Sequence, residues 1–287
     1  MLASLAGVLF DGFAYGMLLF LLSVGLSVTL GMMNFVNLAH CSFAMIGGYA
    51  AVTLTNGFGW PFFAVLPAAF FAAAAASIVL ERTLYRRLYR SSDLDQCLFT
   101  IGVVFISVAA AAYLYGTVQQ PITTPSWLRG SLQFLGMNVG VYRLFLILTA
   151  LAVTTLLVLA LETTRFGAQV RAAVDNQRMA RGLGINVDRV FAVTFALGGG
   201  LAGLGGALAI EIVGLDPSFA FTYLVYVLIV VAVGGLGSIG GSFVAATVLG
   251  VSDMAGKYYF PQLGAFLIYL VMVALLIWRP AGLFGKR

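Results

Sequence analysis

An all-α polytopic membrane bundle, with about eight to nine transmembrane crossings and broken or re-entrant helices among them, is the fold predicted by three observations on this 287-residue sequence. Hydrophobic residues make up 62% and charged residues only 9%, where soluble domains carry roughly 25% charged. The few charges are bunched, so long intervals hold none. No interval shows the ten-residue polar/apolar alternation of a membrane β-barrel, which leaves the helix, the element that satisfies its own backbone in lipid.

The intervals set the crossings one by one. Gly12 to Leu80 holds 69 residues without Asp, Glu, Lys or Arg, room for about three spans of ~20 residues. Gln96 to Leu128 holds 33, Leu144 to Leu161 holds 18 and Val190 to Ile210 holds 21. Pro217 to Ser252 holds 36 and Tyr258 to Trp278 holds 21. The 36-residue interval takes either two short helices or one helix and a re-entrant segment, turning at Gly234, Gly235, Gly237, Gly240 and Gly241. The whole chain, 1–287, reads as a single transmembrane domain with one large polar loop at about 162–189.

Orientation follows from the basic residues, which are retained on the cytoplasmic side. Arg82, Arg86, Arg87 and Arg90 form one cluster, Arg165, Arg171, Arg178, Arg181 and Arg189 a second, and Arg279, Lys286 and Arg287 a third. All three are expected inside, with Arg129, Arg143 and Lys257 outside. The N-terminus lies outside if three crossings precede Arg82, and inside if two crossings and a re-entrant segment do. No basic residue precedes Arg82, which argues against a cleaved signal peptide. The net charge of +5 is explained by this topology rather than by nucleic acid. Cys41 and Cys97 fall in or beside apolar spans as packing residues, with no disulfide framework or metal-ligand spacing.

A P-loop needs a Gly-rich turn ending in Lys and then Ser or Thr. Lys257 is followed by Tyr258 and Lys286 by Arg287, so the chain is not its own conventional ATPase. In the polar loop, a helix over about 168–181 puts Arg171, Asp175 and Arg178 on one face, with Asp175 and Arg178 at i,i+3. Val170, Ala173, Val174 and Ala180 face another way, and Gly182 and Gly184 end the helix. Two readings stand: a solvated connector, or an amphipathic helix that fills a groove in a partner.

Gly31 to Ser42 interrupts the 69-residue run with polar groups. On helical spacing Asn34, Asn37 and Cys41 share a face and His40 points aside. These residues either hydrogen-bond between helices, which composition favours, or line a path through a broken helix. A nucleophile built from His40, Cys41 and Ser42 is disfavoured because sequence neighbours point apart. The break at 31–42 and the break at 234–242 are each flanked by apolar segments, and Ser42-Phe43 matches Ser242-Phe243, the expected trace of an internal repeat.

Four segments carry a resemblance over nearly the whole chain: Met33-Asn-Phe-Val-Asn-Leu-Ala-His40 followed by Gly47-Gly-Tyr49; Arg171-Ala-Ala-Val-Asp-Asn-Gln-Arg-Met-Ala-Arg-Gly-Leu-Gly-Ile-Asn186 running on to Ala202-Gly-Leu-Gly-Gly-Ala207; Gly234-Gly-Leu-Gly-Ser-Ile-Gly240; and Arg279-Pro-Ala-Gly-Leu-Phe-Gly285. In this order they resemble the LivH-type permeases of branched-chain amino acid ABC importers. The chain departs from the family at Cys41, commonly Gly, at Ser42, often acidic, and at Gly240, commonly Pro.

The resemblance implies a transport subunit rather than an enzyme. It forms the translocation path of a binding-protein-dependent importer in a bacterial inner membrane, with the polar loop and C-terminus cytoplasmic. Implied partners are a second related permease subunit, two ATP-binding cassette subunits that hold ATP-Mg, and an extracytoplasmic solute-binding protein; this chain itself binds no cofactor, metal or nucleic acid. Coupling to the cassette falls on Arg171, Asp175, Asn176, Arg178, Ala180, Gly182 and Gly184. Path residues are Asn34, Asn37, His40, Ser42, Gly234, Gly235, Gly237, Gly240 and Gly241, and binding-protein docking falls on Arg129, Arg143, Glu211 and Asp216. Branched-chain amino acids are the default solute, against urea, short amides, other amino acids or aromatic acids. The competing class is a self-contained secondary transporter or channel, which would place ionisable groups in mid-membrane, where the intervals show almost none.

Overall fold

A computed structural model describes residues 2–33, 35–89, 91–134 and 137–285. The helices are α1 (Leu2–Met33), α2 (His40–Val52), α3 (Phe62–Thr83), α4 (Asp93–Tyr115), α5 (Val141–Thr163), α6 (Arg165–Asp175), α7 (Gln177–Gly182), α8 (Val187–Val213), α9 (Phe219–Gly234), α10 (Ile239–Tyr259) and α11 (Gly264–Trp278). A short antiparallel hairpin, β1 (Ser131–Phe134) and β2 (Met137–Gly140), precedes α5 and pairs Ser131 with Gly140 and Leu132 with Val139. Six helices are long and apolar enough to cross a membrane, namely α1, α3, α4, α5, α8 and α10, and α9 and α11 are shorter apolar helices.

A break and a half-length helix separate α1 from α3. After α1 the chain has no regular secondary structure at 35–37, and α2 follows for 13 residues before a π-helical turn at Thr53–Gly57. Val36 lies against Gln96 and Leu38 against Thr100, near the start of α4, and Thr53 meets Tyr115 at its end. From Gln96 to Tyr115 is about 28 Å of helix, close to the ~30 Å bilayer core. The 36-residue interval resolves into α9 and α10, joined across Gly235 and Gly237, whose φ of 96° and 78° suit residues without a Cβ.

α1 and α8 form the centre. α1 packs along α8 and α10, while α8 packs along α1, α2 and α3. Gly206 lies on the Ala44 carbonyl and Gly25 on that of Gly198, so close that a Cβ at either position would collide with backbone. In lipid, where apolar surface alone does not drive helices together, such close approach supplies the packing.

One order, a long helix, a break, a short helix and two more helices, occurs twice: α1 to α4 and, in the opposite direction, α8 to α11. α1 packs along α10 and α3 packs along α8, as an inverted repeat requires. Each break closes in the same turn: Asn37 Oδ1 accepts from the Ala39 N–H at 3.1 Å, and Asp216 Oδ1 from the Ser218 N–H at 2.8 Å. This corrects the pairing expected from sequence. The partner of the first break is 214–218, whereas 234–241 is the tight junction of α9 and α10, with a loop of only 235–238, and it abuts the end of α1, Gly237 meeting Gly31 and Ser242 Oγ lying 2.5 Å from Ser27 Oγ.

Candidate translocation path and coupling surface

The polar break is held by a ladder of side chains on α4. Gln96 Oε1 accepts from the Val36 N–H at 3.0 Å, Thr100 Oγ1 from the Leu38 N–H at 3.2 Å, and Ser107 Oγ lies 2.7 Å from Ser42 Oγ. At the far end the Tyr115 ring stacks on Tyr49, centroids 4.2 Å apart. Phe35 anchors the start of the break between the rings of Tyr85, Tyr89 and Phe195. The ladder exists because non-helical backbone exposes donors that a helix would satisfy, and inside a membrane each must find a partner.

Asn37, His40 and Ser42 are all buried. His40 Nε2 lies 3.1 Å from the Leu22 carbonyl in mid-α1, and Asn37 Nδ2 has no partner among the described residues. Asn34 lies outside the described residues. Asn37 and Cys41 do not share the face of one helix, because residues 35–37 are not helical. Gly234, Gly235, Gly237, Gly240 and Gly241 stand elsewhere, at the arginine-rich end: Gly237 lies against Gly31, Gly235 against the tail residues Gly282 and Gly285, and Gly234 against Gly241, while Gly240 has open space where a Cβ would be. Nine residues of α1 separate Gly31 from Leu22, the level of His40, which is about 14 Å, so the sequence-derived path residues divide into two places.

At the arginine-rich end the helix expected over 168–181 is two helices. Asn176 breaks it with extended dihedrals, φ −157° and ψ 99°, and caps α7 by accepting from the Met179 N–H at 3.0 Å. Asp175 ends α6 and Arg178 lies beyond the bend, so their i,i+3 pairing is lost, and no ion pair joins them among the described residues. Ala180 is buried, and Arg171 turns back to the Leu161 carbonyl. Gly182 closes α7, and Gly184 at φ +82° completes a Schellman turn in which the Ile185 N–H donates to the Ala180 carbonyl and the Gly184 N–H to that of Arg181.

Sequence reasoning missed what surrounds these residues. Of the residues expected on the face away from the charges, Val170, Ala173 and Ala180 are buried but Val174 is exposed, as are Met179 and Leu183. These three give the α6–α7 pair an apolar surface that this chain does not cover. Asp188 bridges Arg86 and Arg181, and a cleft of about 440 Å³ opens between them and Gln177. Tyr89 donates to Glu81 Oε1 at 2.7 Å on its edge; burial first, and then this carboxylate, hold its phenol well above the usual range and so protonated.

At the opposite end Arg129, Arg143 and Glu211 line one cleft of about 350 Å³. Arg129 Nε donates to Thr124 Oγ1 at 2.9 Å, and Thr124 Oγ1 lies 3.5 Å from Glu211 Oε2. Arg143 is already paired with Asp11, and Asp216 is folded into the turn before α9. Asp253 and Lys257, the charges that bound two of the charge-free intervals, both lie in α10, and Asp253 is fully buried. No group of three His, Cys, Asp or Glu with metal-holding geometry occurs among the described residues.

Comparison with known proteins places this geometry. The family described as "Branched-chain amino acid transport system / permease component" matches residues 8–276. The "Probable branched-chain amino acid transport permease protein LivH" of Methanocaldococcus jannaschii is 26% identical across 94% of this chain and 90% of its own length. The "High-affinity branched-chain amino acid transport system permease protein LivH" of Escherichia coli is 24% identical across 97% of this chain and 94% of its own. The "High-affinity branched-chain amino acid transport system permease protein LivM" of Salmonella typhimurium is 27% identical across 93% of this chain and 68% of its own length. The chain therefore belongs to the family of branched-chain amino acid transport system permease components.

Proposed function

We propose that this chain is the permease subunit of a binding-protein-dependent ABC importer, carrying branched-chain or related amino acids across a bacterial inner membrane. The observation that carries the reading is the α6–α7 pair: a bent helical element with uncovered Val174, Met179 and Leu183 and with Asp175 and Arg178 unpaired among the described residues, in a chain without a P-loop lysine. Such a surface suits the groove of an ATP-binding cassette subunit. ATP-Mg on two such subunits would shift the bundle between pre-existing states through contacts that differ between them.

The arginine-rich end then faces the cytoplasm, and nine traversals put the N-terminus outside and the C-terminus inside. That Salmonella typhimurium has two permease proteins of one transport-system name, LivH and LivM, both similar to this chain, supports a second permease subunit. The Arg129–Glu211 cleft would meet the solute-binding protein. Uptake into vesicles that requires ATP and all companion subunits is the expected result, and uptake by the isolated chain from an ion gradient would falsify it. In the assembled importer, Asp175→Lys is expected to abolish transport-coupled ATP hydrolysis while insertion proceeds; retained coupling removes Asp175 from the interface. One observation favours a secondary transporter, the buried carboxylate of Asp253, and the same vesicle experiment decides between the two.

A further inference from the structure

Between α1, α9, α10 and α11 lies a polar cluster to which neither path nor coupling assigns a task. Asp253 sits six residues before the end of α10 and is fully buried. That is about 9 Å of helix below the end. An ionisable side chain inside a membrane span is costly and marks a functional site by default. Oδ2 accepts from Lys257 Nζ at 2.6 Å, while Oδ1 is buried and has no hydrogen-bond partner among the described residues. Lys257 Nζ also stands 5.5 Å above the centre of the Tyr15 ring. The Tyr226 ring lies between those of Tyr223 and Tyr269, with centroids 5.9 and 6.4 Å away, and no phenol among the described residues donates to Oδ1.

The carboxylate already holds an alkylammonium, and that ammonium belongs to the chain. Lys257 has half its side chain exposed, so its flexible stem can carry Nζ back to water. What would remain is a buried carboxylate with capacity for further donors beside an aromatic face that attracts cations. The cluster lies toward the end that the proposed topology turns outward, where solute enters.

We propose that Asp253, with the Tyr15 ring, binds the ammonium group of the transported amino acid, and that Lys257 occupies the site as a tethered stand-in until the solute displaces it. The inference rests on the reading of the solute as an amino acid.

Lys257 and Lys286 are the only lysines of the chain, so peptide-resolved acetylation of the assembled complex in membranes reports Lys257 with Lys286 as internal reference. Leucine is expected to raise the Lys257:Lys286 labelling ratio about tenfold, the loss of one charged hydrogen bond. Its des-amino analogue 4-methylpentanoate is expected to leave the ratio unchanged. Asp253→Asn should raise the ratio without leucine and remove the response to it. An unchanged ratio with leucine overturns the proposal without any variant, and so does an equal response to 4-methylpentanoate. In ATP-driven uptake, Asp253→Asn should raise the leucine KM about tenfold while keeping the maximal rate. An unchanged KM sinks the ammonium site and leaves the importer reading standing; uptake without ATP sinks that reading, while the labelling ratio still judges the site.

Discussion

α8 and α4 are both apolar helices of crossing length, and they are held in opposite ways. α8 is mostly buried and packs backbone to backbone, its Gly198, Gly203 and Gly206 against Gly25, Gly47 and Ala44. α4 is mostly uncovered and is attached along one edge by Gln96, Thr100, Ser107 and Tyr115. Glycine packing spreads its energy over many small contacts and tolerates no displacement of the order of an ångström. A ladder of side-chain hydrogen bonds has discrete rungs, each of which can break and re-form. The difference separates a frame, α1 with α8, from an attached helix that can shift along the broken segment without unpacking the centre.

The largest effect expected is on the frame. Gly206→Leu would drive a side chain into the Ala44 carbonyl, and backbone cannot yield as a flexible side chain does. Overpacking costs about 1–3 kcal/mol where side chains can adjust, so more than this is expected here. Assembled, monodisperse protein in detergent should be lost. Recovery of normal amounts would break the contrast between frame and attached helix.

The next test acts on movement. In a background with Cys41 and Cys97 replaced by Ala, Ser42→Cys with Ser107→Cys places two thiols where the hydroxyl oxygens are 2.7 Å apart, within the reach of a disulfide. Oxidation is expected to arrest uptake, and reductant to restore it. Full uptake by the cross-linked protein would show that α4 and α2 travel together, and the frame would have to include both.

How much of this was legible follows from where each signal sits. Charge-free intervals located the spans, because in lipid a charge is confined to an end or to a partner. The same rule misplaced Asp253, since treating every charge as a boundary cannot recognise one neutralised inside a helix by Lys257 one turn on. Gly182 and Gly184 were readable as terminators because a Schellman turn is local. The bend at Asn176 was not, because Asn is tolerated in a helix as well as at a cap. The break at 35–39 was visible only as polarity. Its partners Gln96 and Thr100 lie about sixty residues away, and spacing within the break says nothing of them. Asp216 was seen as a charge and Asn37 as an amide; only the two matching turns reveal them as counterparts.

Two rungs of the ladder differ in a way that sets the smaller effects. Gln96→Leu removes the acceptor of the Val36 N–H and two donations, to the Leu88 and Ser91 carbonyls. Val36 is half-buried, so its stranded donor should cost about 1–3 kcal/mol, seen as a lowered Tm of the complex. Ser107→Ala is expected to cost less. Ser107 Oγ donates to the Val104 carbonyl of its own helix at 2.8 Å, so the bond to Ser42 is one in which Ser42 donates. The alanine leaves Ser42 without its acceptor but strands no backbone group. Interhelical hydrogen bonds of this kind average ~0.6 kcal/mol where measured, and a hydroxyl in a bundle can rotate to a carbonyl of its own helix. A Tm change at the edge of detection is therefore expected for Ser107→Ala, beside a clear one for Gln96→Leu. Equal losses would mean that the Ser42–Ser107 rung carries as much as the backbone rung, and that α4 is bound as firmly as α8.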